Sequence, residues 1–271
     1  MRALIAALLL LPGPALAEAM RATYEVQAAG MVVMELEAEI ETSGDRYRVE
    51  TRLRTRGLAT LVASGEQVTR ADGAFAGGAA RPSGFTSEGV WRGRMRRIAL
   101  AWQGLVPRVV ELTPPETDER EPIPEPLRHG TMDVLSFALT VGRQAAQGGC
   151  GTEASVYDGR RLTAYRASGT SRDRIPPWGG AWQGEAMRCE VVGRIVGGFR
   201  HDMDRVRAAE PQRATAWMAA PYAGAPVVPV RMDIPTRWFG TANAVLLKAE
   251  PVLPRRAESG QPVERRTELR R

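Results

Sequence analysis

The sequence predicts a mainly β fold in which a curved antiparallel sheet, a half-barrel of about a dozen strands, wraps round one long apolar helix. Three observations predict it. Glycine and proline are frequent, at 28 and 19 of 271 residues, and such turn-rich chains are typical of folds with many short strands. Apolar and polar residues alternate with a period of two over much of the chain. Only the segment 132–147 has the length and composition of a helix.

The longest alternation runs from Tyr24 to Ile40, where the even positions are apolar or small and the odd positions from 35 onward are glutamates. This period predicts a strand with one buried and one acidic face, bent or interrupted at Gly30. In the next segment, 46–56, arginines alternate with apolar residues and threonines. The arginine row is either a polyanion-binding stripe or a solvated face that the glutamates neutralise.

The two segments together predict a hairpin with a two-residue turn at Ser43-Gly44. In that register Glu39 faces Arg48 on the solvent side, and Ile40 and Tyr47 are buried on the opposite side. Charge and hydrophobicity favour the same pairing, so the register follows from both.

Further hairpins are predicted at Arg92-Gly93-Arg94 and at Asp158-Gly159, a strong signal for a two-residue turn. Alternation from Met187 to Ile195 predicts a strand with Cys189 on its inner face. Late strands are predicted over 214–219, 227–233 and 241–247.

The helix is predicted to follow a capping Thr131 and to end before Gly148. Its apolar residues are spread round most of the circumference, so we expect the sheet to enclose it. Ligand-cavity candidates at that interface are Leu135, Phe137, Leu139 and Val141.

The first seventeen residues predict a cleaved secretory signal peptide. Met1-Arg2 is a short basic start, 3–11 is apolar, and a small residue precedes the cleavage site at Ala17.

Residues 18–248 are then a single β-rich domain. Residues 249–271, rich in proline and paired arginines, are predicted to be a disordered basic tail with weak attraction to membrane surfaces. The expected location is the periplasm.

Cys150 and Cys189 are the two cysteines of the chain. In an oxidising compartment two cysteines are expected to pair, which predicts a structural disulfide. The alternative is a redox-active thiol pair, but such pairs usually have C-x-x-C spacing, which these cysteines lack.

The sequence excludes several kinds of chemistry. Two histidines exclude three-histidine zinc sites, and G-x-S-x-G, P-loop and EF-hand motifs are absent. His129 and His201 are isolated, and Asp202 and Asp204 beside His201 are expected to be solvated rather than to bind a metal. We therefore predict no catalytic residue, no metal and no cofactor. We also predict no nucleic-acid partner, because the side-chain charge of residues 250–271 is only about +2 and an exported protein rarely meets DNA.

Several motifs occur together in a fixed order. They are His129-Gly130-Thr131-Met132-Asp133-Val134-Leu135-Ser136, Tyr157-Asp158-Gly159-Arg160-Arg161, Trp91-Arg92-Gly93-Arg94 and Gly197-Gly198-Phe199. In this order they resemble the bacterial domain of unknown function 3108 family over about residues 22–247, with Val134 in place of the family's usual proline. The resemblance implies an exported protein, similar to lipoprotein-carrier-like half-barrels, and supplies no catalytic residues.

The first functional hypothesis is a non-catalytic periplasmic binding or carrier protein for an apolar, lipid-like ligand held between the sheet and the helix. A second hypothesis is a structural or adaptor module that binds another envelope protein. A third is an enzyme of a type that the sequence motifs do not reveal.

Overall fold

The fold is described by a computed structural model for residues 18–115, 120–236 and 240–253. Over these residues it contains fourteen strands and four helices. The strands are β1 Glu18–Ala28, β2 Met31–Ser43, β3 Arg46–Thr55, β4 Gly65–Ala76, β5 Ala79–Trp91, β6 Arg94–Gln103, β7 Val106–Thr113, β8 Thr152–Tyr157, β9 Leu162–Ser168, β10 Arg172–Ile175, β11 Gly184–Gly197, β12 Gln212–Ala219, β13 Val228–Pro235 and β14 Thr241–Val252. The helices are α1 Ala59–Ala63, α2 Glu125–Arg128, α3 Val134–Ala146 and α4 Arg205–Ala208.

All fourteen strands form one antiparallel sheet, as the alternation predicts. Its order is β7-β6-β5-β4-β3-β2-β1-β14-β13-β12-β11-β9-β8, and β10 pairs with β11. The edge strands β7 and β8 do not pair with each other, so the sheet is not closed into a barrel. The predicted mainly β, antiparallel fold is confirmed.

The sheet curls until its two ends approach each other. One core cluster contains Phe85 and Leu100 from β5 and β6 together with Tyr157 and Leu162 from β8 and β9. These strands lie at opposite ends of the strand order, so both ends contribute to one interior. The connecting segment 130–132 spans the remaining gap, because it makes backbone hydrogen bonds to the β6–β7 turn on one side and to β8 on the other.

The prediction of one long apolar helix over 132–147 is wrong. The helix α3 has 13 residues, and its N-cap is Asp133 rather than Thr131. Phe137 and Val141 are buried, whereas Val134 and Arg143 are exposed. The helix is therefore amphipathic and lies inside the curved sheet with one face open to solvent, because the sheet does not close over it.

The faces of the β2–β3 hairpin are as predicted, but its register is shifted by two residues. The turn is Gly44-Asp45 rather than Ser43-Gly44, and Gly44 has a φ of +62°, which glycine adopts readily. Ile40 and Tyr47 are buried. The predicted pair of Glu39 and Arg48 is absent: Glu39 lies opposite Glu50, and Arg48 lies opposite Glu41.

The shifted register is electrostatically satisfied by neighbouring strands. Glu39 forms an ion pair with Arg21 of β1 at 2.7 Å, and Glu50 forms one with Arg70 of β4 at 2.8 Å. Charge matching within the hairpin alone could not predict this arrangement, because the arginine partners belong to β1 and β4, the strands on either side of the hairpin.

The interruption predicted at Gly30 is confirmed: the segment from Tyr24 to Ile40 is two strands joined by a tight turn, because Ala29 and Gly30 both have positive φ. Two other boundaries differ from the prediction. The Asp158-Gly159 hairpin has a four-residue loop, since Tyr157 pairs with Leu162. The last strand runs to Val252, into the predicted tail. The predicted signal peptide and residues 254–271 lie outside the described residues.

Candidate functional site

The N-terminus of α3 is built on a buried polar cluster. The carboxylate of Asp133, fully buried, accepts hydrogen bonds from the backbone N–H groups of Leu135 and Ser136 at 2.9 and 3.0 Å and from the Ser136 hydroxyl. A further hydrogen bond of 2.7 Å joins the Ser136 Oγ to the Tyr47 hydroxyl of β3. The cluster thus caps the helix and fixes it to the sheet.

Burial controls the electrostatics of this cluster. It raises the pKa of Asp133, and the hydrogen bonds from Ser136 and Leu135 offset part of the rise. Burial also raises the pKa of Tyr47. Each group is hydrogen-bonded inside the protein, and the arrangement provides a structural anchor rather than an accessible acid or base.

The same segment anchors the helix to the edge of the sheet. The carbonyl of Thr131 accepts a hydrogen bond of 2.8 Å from the indole of Trp102, and Met132 forms a parallel bridge with Val156 of β8. Further along, Thr140 accepts a hydrogen bond of 3.0 Å from the backbone N–H of Ala80. The motif around residues 129–136 therefore specifies where the helix crosses the gap in the sheet.

The Asp158-Gly159-Arg160-Arg161 loop is a second structural motif. The Asp158 carboxylate accepts hydrogen bonds from the backbone N–H groups of Arg160 and Arg161. The buried Arg160 side chain donates a hydrogen bond of 2.6 Å to the carbonyl of Pro114. The loop thereby fixes the chain that leaves β7 against the β8–β9 hairpin.

The predicted disulfide between Cys150 and Cys189 is present, with Cα atoms 5.6 Å apart. Cys150 lies four residues after α3, and Cys189 lies on the inner face of β11 beside Ala216 and Ala167. The bond joins the C-terminal end of the helix to the sheet.

The four ligand-cavity candidates divide between two parts of the core. Phe137 and Val141 belong to the cluster around the disulfide, where the Phe137 ring stacks on Tyr165 at 5.0 Å. Leu135 and Leu139 are half-buried and pack against the cluster centred on β1–β3. The structure therefore does not bring the four side chains together round one space.

A small cavity of about 10 Å³ lies near the start of the helix. It has room for about one water molecule. Its lining includes Trp102, Thr131 and Met132, and none of the four candidates.

A half-buried apolar surface lies on the inner face of β1, β2, β3, β13 and β14. Val26 lies opposite Met34 of β2 and Ala244 of β14, and Ala244 in turn lies opposite Met232 of β13. The next row pairs Leu36 with Leu53. We call these residues the inner-face patch: Val26, Met34, Leu36, Leu53, Met232 and Ala244.

Sequence reasoning missed the inner-face patch as a site. Each of its residues stands at an inward position of the alternating pattern, as core residues do. The pattern does not reveal that these side chains are only partly buried. The signal that could have found it is the position of these residues near the strand ends, away from the helix that fills the rest of the interior.

The arginine row forms ion pairs with glutamates on the outer face of the sheet. Glu66 lies 3.3 Å from Arg52 and 3.2 Å from Arg54, and Glu35 lies 2.9 Å from Arg56. Ion pairs between exposed side chains contribute little to stability, because solvent screens them. These contacts favour the interpretation of a neutralised solvated face over a polyanion-binding stripe.

The described residues contain no cluster of three or more histidine, cysteine, aspartate or glutamate side chains that could hold a metal ion. Asp202 forms an ion pair with Arg200 at 2.8 Å, and Asp204 caps α4. In this part of the chain no helix is both long enough and apolar enough to cross a bilayer.

A family model described as a protein of unknown function, DUF3108, matches residues 20–247. A crystal structure of a β-barrel-like protein of domain of unknown function DUF1849 from Brucella abortus is similar in fold, with a TM-score of 0.52 and 14% sequence identity. The match covers 87% of this chain and 98% of that chain. At this identity the likeness shows the fold alone. No curated protein matches the chain.

Proposed function

The chain belongs to the DUF3108 family, and we propose that it is a non-catalytic binding protein of the cell envelope that holds an apolar, lipid-like ligand against the inner-face patch. The observation that carries the proposal is the half-buried apolar surface inside an open sheet. Apolar side chains gain stability when they are removed from water, by about 25 cal/mol per Å². An apolar ligand that covers the patch would supply that burial.

The dimensions of the patch fit an elongated ligand. It crosses five neighbouring strands, β13, β14, β1, β2 and β3. With strands about 4.8 Å apart it is roughly 19 Å wide, which is comparable to a long acyl chain. Each side chain of the patch is half-buried, so part of its surface is already exposed to solvent.

The proposed compartment rests on the sequence and the disulfide. A signal-peptide pattern at residues 1–17 and a bonded cysteine pair are both typical of exported proteins. The proposal includes no catalytic step, because the buried polar cluster at Asp133 serves as a helix cap.

The test is native mass spectrometry of the protein after gentle extraction from the envelope of the expressing bacterium. We expect a co-purified apolar ligand on the wild-type protein and its loss from the variant Met34→Gln/Leu53→Gln. The matched control is Val192→Gln, which changes a half-buried valine on the outer face of β11. This control should retain the ligand.

Two outcomes would contradict the proposal. One is a wild-type protein that carries no ligand, and the other is equal ligand retention by the inner-face variant and the control. A co-purified envelope protein in place of a lipid would favour the adaptor function instead.

A further inference from the structure

One end of the sheet carries three neighbouring connections with exposed apolar side chains. We call them the rim: residues 29–31 between β1 and β2, residues 56–64 between β3 and β4, and residues 90–96 around the β5–β6 turn. They lie side by side at one end of the sheet. The backbone N–H of Arg92 donates to the carbonyl of Ser64 at 3.1 Å, which joins the second and third connections directly. The backbone N–H of Arg56 donates to the carbonyl of Val33 in β2 at 2.9 Å, which joins the second connection to the strand that follows the first.

The apolar side chains of the rim are among the most exposed in the described part of the protein. Leu61 is 82% exposed and Leu58 67%, and both belong to the short connection that contains α1. Met31 and Met95 are each 50% exposed, and Val90, opposite Met95 on the outer face, is 41% exposed. Neighbouring apolar side chains with this exposure mark an interaction surface.

The charge on the rim has one sign. Arg92, Arg94 and Arg96 are exposed and form no ion pair with any described residue, and the three rim segments contain no aspartate or glutamate. The neighbouring Arg97, by contrast, forms ion pairs with Glu88 at 3.0 Å and Glu111 at 3.2 Å. Unpaired positive charge is therefore concentrated where the apolar side chains protrude.

We propose that the rim docks onto the surface of an anionic lipid bilayer. Leu58 and Leu61 would enter the boundary between headgroups and acyl chains, while Arg92, Arg94 and Arg96 contact the lipid phosphates. Stable attachment to a membrane surface generally needs both an apolar and an electrostatic contribution, and the rim supplies both.

A bilayer fits this surface better than a protein partner does. The leucines lie on projecting connections rather than in a flat or concave face, so they can enter a soft interface without a shaped pocket. The row of Val26 and Met34 in the inner-face patch is also the row nearest the rim, which places the proposed ligand surface at the membrane end. The docking proposal does not depend on ligand binding, because none of the rim residues on which it rests belongs to the inner-face patch.

The test is flotation of the chain from Glu18 to Arg271 with lipid vesicles. Vesicles contain phosphatidylcholine alone or phosphatidylcholine and phosphatidylglycerol in equal amounts. We expect binding to the anionic vesicles only, and we expect added salt to weaken it. Loss of the three arginine contacts with lipid phosphates should lower the affinity for anionic vesicles on the order of 100-fold.

Two rim variants separate the apolar contribution from the charge contribution. They are Leu58→Gln/Leu61→Gln, which removes apolar side chains without changing the charge, and Arg92→Gln/Arg94→Gln/Arg96→Gln. Both should lose binding to anionic vesicles. Controls at the opposite end of the sheet are Leu253→Gln, which changes a leucine that is 92% exposed, and Arg46→Gln/Arg81→Gln/Arg172→Gln, which removes the same charge from exposed positions.

Both controls should bind as the wild type does, and circular dichroism should show that every variant is folded. Absence of wild-type binding to anionic vesicles would overturn the proposal. Equal losses in the rim variants and the controls would also overturn it, because the attraction would then be non-specific. So would unchanged binding of both rim variants, which would assign the contact to another segment such as the basic tail.

Discussion

Asp133 connects the start of α3 to the interior of the sheet, and its burial makes it the clearest pH-sensitive residue. Burial raises its pKa in the folded protein above the unfolded value of about 3.9. The folded state therefore holds the proton more tightly than the unfolded chain. The stability that this carboxyl contributes is fully present below the unfolded pKa and is lost as pH rises through the folded pKa.

The variant Asp133→Asn isolates this effect, because it removes the titrating group and keeps a capping side chain. We expect the free energy of unfolding of the wild type minus that of the variant to fall as pH rises from about 4 towards neutral. Urea unfolding at a series of pH values measures the difference. A difference that is constant or rises with pH would contradict this assignment.

Tyr47 contributes its hydroxyl to the same cluster. Replacing it with phenylalanine in Tyr47→Phe removes the hydrogen bond to Ser136, and we expect a loss of about 0.5–1.5 kcal/mol in the free energy of unfolding. The control is Tyr24→Phe, because Tyr24 is also buried and its hydroxyl forms no hydrogen bond with any described residue. Equal effects of the two substitutions in urea unfolding would show that the Tyr47 hydroxyl is not an anchor.

At the scale of elements, the disulfide holds the end of α3 to β11. The bond between Cys150 and Cys189 closes a loop with a sequence separation of 39. On the chain-entropy argument, its removal in Cys150→Ala/Cys189→Ala should lower the free energy of unfolding by about 2–4 kcal/mol. Urea unfolding of this variant beside the oxidised wild type measures the loss, and a loss below about 1 kcal/mol would show that other contacts hold the helix end.

One face of α3 is open to solvent, so replacing its apolar residues with alanine should lower the free energy of unfolding by unequal amounts. Phe137→Ala should lower the free energy of unfolding by about 3–5 kcal/mol, because its ring is buried and stacked on Tyr165. Leu139→Ala should cost less, since Leu139 is half-buried. Thermal or urea unfolding of both variants would test the order, and a larger cost at Leu139 would place the helix deeper in the sheet than the structure does.

At the scale of the whole molecule, alternation in the sequence predicted the sheet and the faces of its strands. It assigned Ile40, Tyr47 and Cys189 to the buried side, where they lie. It did not predict the β2–β3 register, because Glu39 and Glu50 find their arginine partners on other strands. The open sheet agrees with the predicted half-barrel, which was inferred from the apolar helix and not from the alternation.

The length and the burial of the helix were overestimated from the sequence, and the inner-face patch was not identified. Apolar residues at Val134 and Ala138 suggested burial on all sides, but the gap in the sheet leaves them exposed. Met34 and Leu53 have the pattern of core residues but lie towards one end of the sheet, away from the helix that fills the rest of the interior, and they are half-buried. The two differences therefore have different causes, the gap between the edge strands for the helix and the position along the strands for the patch.

The measurement that tests the central claim most directly is photo-crosslinking of the purified protein with a diazirine-bearing fatty acid, followed by mapping of the labelled peptides. An apolar ligand on the inner-face patch predicts labels on the inner-face residues of β1, β2 and β3, with Met34, Leu36 and Leu53 among them. Excess unlabelled fatty acid should suppress these labels. Labels confined to the outer face or the rim, or labelling that unlabelled fatty acid does not reduce, would contradict the claim that the open sheet holds an apolar ligand.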